Sequence, residues 1–196
     1  FGDDGSNLGL EAHDAGRADG IGQGYVGALL SAGEDGLWVG VGGSGLFLRD
    51  APSAGYRGYR HDPAVPDSLS GDYVTALAAG QGARLWVGTR SNGLNRCRIA
   101  PWSCERFDGR SASGPNLRHY HVTALRRDRA GGLWVATDGG GLHRAEVDAD
   151  GRVTGFEHWG FVRGLLADGI MAVEEHDDAS LWLSTRHGLS RLDPAT

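Results

Sequence analysis

The sequence predicts an all-β fold made of four copies of one unit. Three observations predict it. The motif Leu85-Trp86-Val87-Gly88-Thr89 returns as Leu37-Trp38-Val39-Gly40-Val41, Leu133-Trp134-Val135-Ala136-Thr137 and Leu181-Trp182-Leu183-Ser184-Thr185, and the step from each tryptophan to the next is the same throughout. Glycine supplies 34 of 196 residues, well over twice the ordinary share of about 7%, and the glycines lie between short apolar runs, as turns do. Each repeat holds up to four such runs. Four short antiparallel strands recurring at a fixed period of this size are the pattern of a β-propeller blade.

The elements follow in order. Residues 1–25 are polar and Gly-rich, with one expected strand near Leu8-Gly9-Leu10 that is a candidate outer strand. Blades are then expected over 26–73, 74–121 and 122–169, with an incomplete one over 170–196. Strand A of each begins at Val26, Val74, Val122 or Ile170. The Leu-Trp motif is strand B, and strand C begins at Leu46, Leu94, Leu142 or Leu189. Strand D is expected at Tyr56 to Tyr59, Glu105 to Phe107 and Val153 to His158, and the fourth repeat stops before one. Successive strand side chains alternate faces, so Trp86 and Gly88 share one face while Leu85, Val87 and Thr89 share the other. Both faces carry apolar groups, as they must when a blade packs between two others. Trp38, Trp86, Trp134 and Trp182 are therefore expected in the core. The small residue two places on (Gly40, Gly88, Ala136, Ser184) leaves room for the adjacent sheet.

Composition narrows the function. Net charge is −6 and no basic block is present, which argues against a nucleic-acid partner. No apolar run approaches the roughly 20 residues of a membrane-spanning helix. The chain starts at Phe1 without a methionine and reads as a piece of a longer protein. Cys97 and Cys104 flank Ala100-Pro101-Trp102 and could face each other across a hairpin. A disulfide there requires an oxidising compartment; two unpaired thiols at a surface hairpin is the other reading.

The unit at 122–144, Val-Thr-Ala-Leu followed by Asp128, Gly131 and Gly132 and then Leu133-Trp134-Val135-Ala136-Thr137-Asp138-Gly139-Gly140-Gly141-Leu142-His143-Arg144, resembles the two-component regulator propeller repeat. The link Tyr59-Arg60-His61-Asp62-Pro63 through Ser70 resembles that family's inter-blade segment. The A–B turns depart from the family, with Ala32, Gly80 and His176 at the place of Asp128. The resemblance implies seven-bladed propellers, often two in tandem, in the periplasmic part of membrane-bound sensors joined to a kinase or diguanylate cyclase. Four repeats do not fill seven blades, so an arc of a larger propeller is expected; the alternative is four blades closed by a strand near Leu8. An open arc would expose apolar faces to the remainder of the receptor or to a second copy.

Ligands on propellers sit at a mouth of the central channel. Candidate groups are Arg90, Asn92, Asp138, Arg186 and His187 in the B–C turns, and Tyr73, Tyr120, His121 and Asp168 before strand A. Arginine and tyrosine hydrogen-bond sugar hydroxyls or carboxylates, so a small ligand, carbohydrate among the candidates, is the expected partner. Solvated turn residues are the competing reading. No metal or cofactor is expected: His119 and His121 lack the third ligand a zinc site needs, and Asp148-Ala149-Asp150-Gly151 lacks the Glu that completes a calcium loop and reads as a hairpin turn. Gly43-Ser44-Gly45 has no nucleophile-elbow context, and Gly20-Ile21-Gly22-Gln23-Gly24 has no following helix for a dinucleotide. Trp102 and Trp159 lie outside the repeat, as aromatic platforms or as packing for strand D. The expectation is a non-catalytic sensing module. A propeller lyase or glycan hydrolase and a passive interaction scaffold are the alternatives.

Overall fold

A computed structural model describes residues 13, 19–33, 36–51, 54–109 and 114–194. They form four antiparallel sheets with strands in chain order. The first holds β1 (Val26–Ser31), β2 (Leu37–Val41), β3 (Gly45–Arg49) and β4 (Arg57–Tyr59). The second holds β5 (Val74–Ala79), β6 (Arg84–Thr89), β7 (Leu94–Arg98) and β8 (Ser103–Phe107). The third holds β9 (Val122–Arg127), β10 (Leu133–Thr137), β11 (Gly141–Val147) and β12 (Val153–Trp159). The three-stranded fourth holds β13 (Ile170–Glu175), β14 (Leu181–Thr185) and β15 (Gly188–Leu192). The expected strand near Leu8, and with it ring closure by that strand, lies outside the described residues.

The sheets stack face to face in chain order, and alternation along strand B builds the interfaces. Trp38, Leu46 and Leu48 of the first sheet pack on Leu77, Leu85 and Val87 of the second. Trp86 and Ala76 pack on Leu133 and Val135 of the third, and Trp134 and Ala136 pack on Val173, Leu181 and Leu183 of the fourth. The glycine after the tryptophan has a steric reason. A Cβ on Gly88 would lie 2.5 Å from Cγ1 of Val122, and one on Gly40 would lie 2.5 Å from Cγ1 of Val74. The first residue of each next strand A thus occupies the space that the missing side chain leaves.

Hydroxyls fix the rest of the motif. Thr89 Oγ1 donates to the Gly93 carbonyl at 2.9 Å and accepts the Asn92 N–H at 3.1 Å; Thr137 does the same with Gly141 and Gly140. Between sheets, Thr75 Oγ1 donates to the Val122 carbonyl at 2.6 Å and Thr123 Oγ1 to that of Ile170 at 2.5 Å.

Trp182 corrects the expectation of a core residue. Trp38, Trp86 and Trp134 are 3%, 6% and 1% exposed, but Trp182 is 41% exposed. Its strand has the right alternation, yet no further sheet covers its face among the described residues. Leu189, opposite Ser184 on that face, is exposed too, as is Leu29 on the outward side of the first sheet.

Cys97 and Cys104 lie directly opposite on β7 and β8 and are joined by a disulfide. Trp102 packs on Tyr59 with ring centroids 4.0 Å apart, and Trp159 packs on Trp134 at 5.1 Å. Both extra tryptophans are therefore packing for the outer strands. Asp148 to Gly151 forms the β11–β12 hairpin turn, where the Asp148 side chain accepts the Arg152 N–H at 2.8 Å.

Candidate functional site

Two register positions meet at one end of the sheets. The residues just before strand A are Tyr25, Tyr73, His121 and Gly169; those just after strand B are Gly42, Arg90, Asp138 and Arg186. Backbone bonds join them in pairs: Gly42 N–H to the Tyr25 carbonyl (2.9 Å), Arg90 to Tyr73 (3.0 Å) and Asp138 to His121 (3.0 Å). Neighbouring side chains in consecutive sheets then lie side by side. The Tyr25 and Tyr73 rings are 6.3 Å apart, and the Arg90 guanidinium lies 5.2 Å from the Tyr73 ring centre. Asp138 sits 3.5 Å from His121 Nδ1 and 3.2 Å from an Arg186 nitrogen.

The result is a row of Tyr25, Tyr73, Arg90, His121, Asp138 and Arg186 across all four sheets. It combines flat apolar area, two guanidinium donors, one carboxylate and one imidazole. Burial lowers the pKa of His121; the Asp138 charge raises it, and Arg90, His119 and Arg186 lower it. The net direction is downward, so the ring is neutral at pH 7 and offers one donor and one acceptor. Arg186 is largely exposed and Asp138 half-buried.

The other predicted residues are placed differently. Asn92 and His187 sit in B–C turns whose N–H groups bond the preceding threonine hydroxyl. Tyr120 is exposed and stacks on His119 with centroids 4.5 Å apart. The Asp168 carboxylate accepts the Phe161 N–H at 2.6 Å, and its carbonyl takes the N–H groups of Gly139 and Gly141. Asp168 thereby shapes one wall of a cleft of about 580 Å³ beside the row, lined also by Arg118, His158, Phe161 and Arg163. Tyr25 was not among the predicted residues, although it stands one repeat before Tyr73. Among the described residues no three His, Cys, Asp or Glu side chains gather as metal ligands. His119 Nδ1 instead accepts the His121 N–H at 3.2 Å.

Residues 116–139, which contain His121, β9, β10 and Asp138, match the family described as two component regulator propeller. This segment is a two component regulator propeller repeat. No curated protein sequence matches the chain. The propeller resembles the extracellular domain of BT3049 from B. thetaiotaomicron, described as a hybrid two component system, with a TM-score of 0.76 and 16% identity over 94% of this chain. The chain spans 24% of that domain's length. It also resembles virginiamycin B lyase from Staphylococcus aureus (TM-score 0.57, 12% identity, 86% of this chain and 55% of the lyase) and the computationally designed Ika4 protein (TM-score 0.57, 14% identity, 96% and 98%). At these identities the structural likeness shows the fold alone. The fold is thus that of a β-propeller, and it carries a two component regulator propeller repeat in its third sheet.

Proposed function

We propose that this propeller is a ligand-sensing module on the extracytoplasmic, periplasmic side of a membrane signalling receptor, and that it binds its ligand without transforming it. The observation that carries this reading is the Tyr25-to-Arg186 row. Beneath it the motif barely varies between repeats; along it the residues change from aromatic to cationic to anionic. A surface free to vary on a fixed scaffold is where binding specificity is built. The Cys97–Cys104 disulfide supports an oxidising compartment, and the similarity to an extracellular sensor domain supports the same placement.

The chemistry of the row suits a polar ligand with flat faces, such as a small carbohydrate. Tyr25 and Tyr73 supply rings for stacking, while Arg90, His121 and Arg186 supply donors. The one carboxylate of the row is held against Arg186, which suits it to orient a hydroxyl group. Signalling further requires that occupancy favour one arrangement of the receptor, within the rest of its chain or with a second copy, because equal affinity for both shifts nothing.

An NMR titration of the isotopically labelled protein with neutral and acidic oligosaccharides tests the reading. At least one should shift the amides of Tyr73, Arg90, His121, Asp138 and Arg186, and Asp138→Asn should weaken it about tenfold, as loss of a charged hydrogen-bond acceptor does. The same variant should lower the His121 pKa further, since Asp138 is what raises it. Binding that shifts other residues, or affinity unchanged by Asp138→Asn, would move the site elsewhere.

A further inference from the structure

Three arginines from two sheets enter one gap at the opposite ends of the strands from the mouth row. Arg84 opens β6 and shares the face of Trp86, which turns toward the third sheet. Arg96 stands opposite Trp86 on β7, with its guanidinium 5.7 Å from the indole centre. Arg127 ends β9 opposite Leu133, on the face that packs against Trp86. Together they line a cleft of about 520 Å³ floored by Trp86 and Leu133, a size typical of small-molecule sites at roughly 300–1,000 Å³.

The charges there are not balanced from within. Arg96 is 12% exposed and lies 3.5 Å from Glu105, which is half-exposed; it also donates to the Gly151 carbonyl. Arg127 donates to the Gly131 carbonyl at 3.3 Å. The Arg84 side chain has no hydrogen bond or ion pair among the described residues, and its charge opposes that of Arg96. Arg144 also lines the cleft but is tied to Asp128 at 3.3 Å. Glu146 and Glu157 are the carboxylates among the lining residues. With Arg96 set against Glu105, Arg144 against Asp128 and Glu157 3.7 Å from Arg163, the guanidinium groups of Arg84 and Arg127 are left facing the Glu146 carboxylate, in a chain whose net charge is −6.

We infer that this inter-sheet cleft is a second binding site, distinct from the mouth row, for a small oxyanion ligand bearing a carboxylate or a phosphate. Guanidinium groups bind both through paired N–H donors. An oxyanion between Arg84 and Arg127 would relieve the repulsion that Arg84 exerts on the mostly buried Arg96. The indole edge and Leu133 give an apolar floor for the ligand's carbon skeleton. Because the walls belong to two sheets, the bound anion would also tie those sheets together.

Calorimetric and NMR titrations with citrate and with inorganic phosphate test this, at an ionic strength held constant with sodium chloride. At least one anion should bind saturably and shift the amides of Arg84, Trp86, Arg96 and Arg127, and the stronger of the two identifies the ligand chemistry. The double variant R84Q/R127Q should lose about tenfold or more in affinity, the scale of losing charge-assisted hydrogen bonds, while Asp138→Asn leaves it intact. If the double variant melts early, R84Q alone carries the test, since Arg84 is exposed and has no ion pair among the described residues; its expected loss is about threefold or more. Absence of saturable binding by both anions up to millimolar concentration, or wild-type affinity in the arginine variant, overturns the inference and leaves the mouth-row reading untouched.

Discussion

The backbone N–H of Arg118 donates to Nε2 of His143 at 3.1 Å, and the imidazole is fully buried. The bond recurs with other acceptors in two further sheets: Ser70 N–H to Asn95 Oδ1 at 2.8 Å, and Leu166 N–H to Ser190 Oγ at 3.3 Å. The three donors, Ser70, Arg118 and Leu166, stand one repeat apart. Each pins an inter-sheet connection onto the third strand of the sheet it leads into. In the first sheet Phe47 holds the position, its ring against Gly22, which lies one repeat before Ser70. Three side chains with different chemistry therefore share one requirement, an acceptor facing the connection.

His143→Asn should keep that acceptor, as Asn95 does, and stay within about 1 kcal/mol of the wild type. His143→Leu leaves the donor without its partner and should cost about 1–3 kcal/mol. Burial pushes the His143 pKa down to about 3, from an ordinary value near 6.5. The folded state holds the ring neutral while the unfolded chain takes up a proton below pH ~6.5. Stability from this residue is thus complete above pH ~6.5 and declines as pH falls toward about 3. Linkage gives a loss of about 2 kcal/mol between pH 7 and pH 5. Urea denaturation at those two pH values should show the wild type losing about 2 kcal/mol more than His143→Asn on going from pH 7 to pH 5; parallel pH dependences would mean that His143 titrates normally.

The period made the sheets, the strand order and the three buried tryptophans readable, because a change of spacing in any repeat would have broken an interface. The same register exposed Tyr73, Arg90, His121, Asp138 and Arg186, where the repeats disagree. Tyr25 escaped because it ends a polar, Gly-rich segment with no motif before it. The arginine cleft was not readable at all: Arg84, Arg96 and Arg127 occupy three different places in the unit, and only packing of one sheet on the next brings them together. Trp182 failed for the converse reason. Its strand pattern is correct, but burial of a face is a property of the neighbouring sheet.

The Cys97–Cys104 disulfide closes a short loop, with a sequence separation of 7, so its entropic contribution is about 2–3 kcal/mol. It also forms part of the core between the first and second sheets, against Trp38, Leu46 and Leu48. Reductant should therefore lower the denaturation midpoint by a matching amount. Cys97→Ala/Cys104→Ala should do the same without reductant and then be insensitive to it. An unchanged midpoint in both cases would assign the bridge no stabilising role.

Trp134 and Trp182 share a motif position and differ in cover, so they separate the effect of sequence from that of packing. Trp134 is 1% exposed, packs between the third and fourth sheets, and donates its Nε1–H to Asp128 Oδ2 at 3.0 Å. Asp128 also accepts the Gly132 N–H and pairs with Arg144. Truncation to alanine removes a core indole and one partner of that carboxylate, and should cost about 3–5 kcal/mol. Trp182 lies opposite Arg191 on an uncovered face and is 41% exposed. Trp182→Ala should cost less than about 1.5 kcal/mol, since much of the indole is already in water. The two variants, measured by urea denaturation under identical conditions, should differ by at least about 2 kcal/mol. Equal losses would mean that Trp182 is covered in solution, by another part of its parent chain or by a second copy, and a concentration-dependent midpoint would single out the copy.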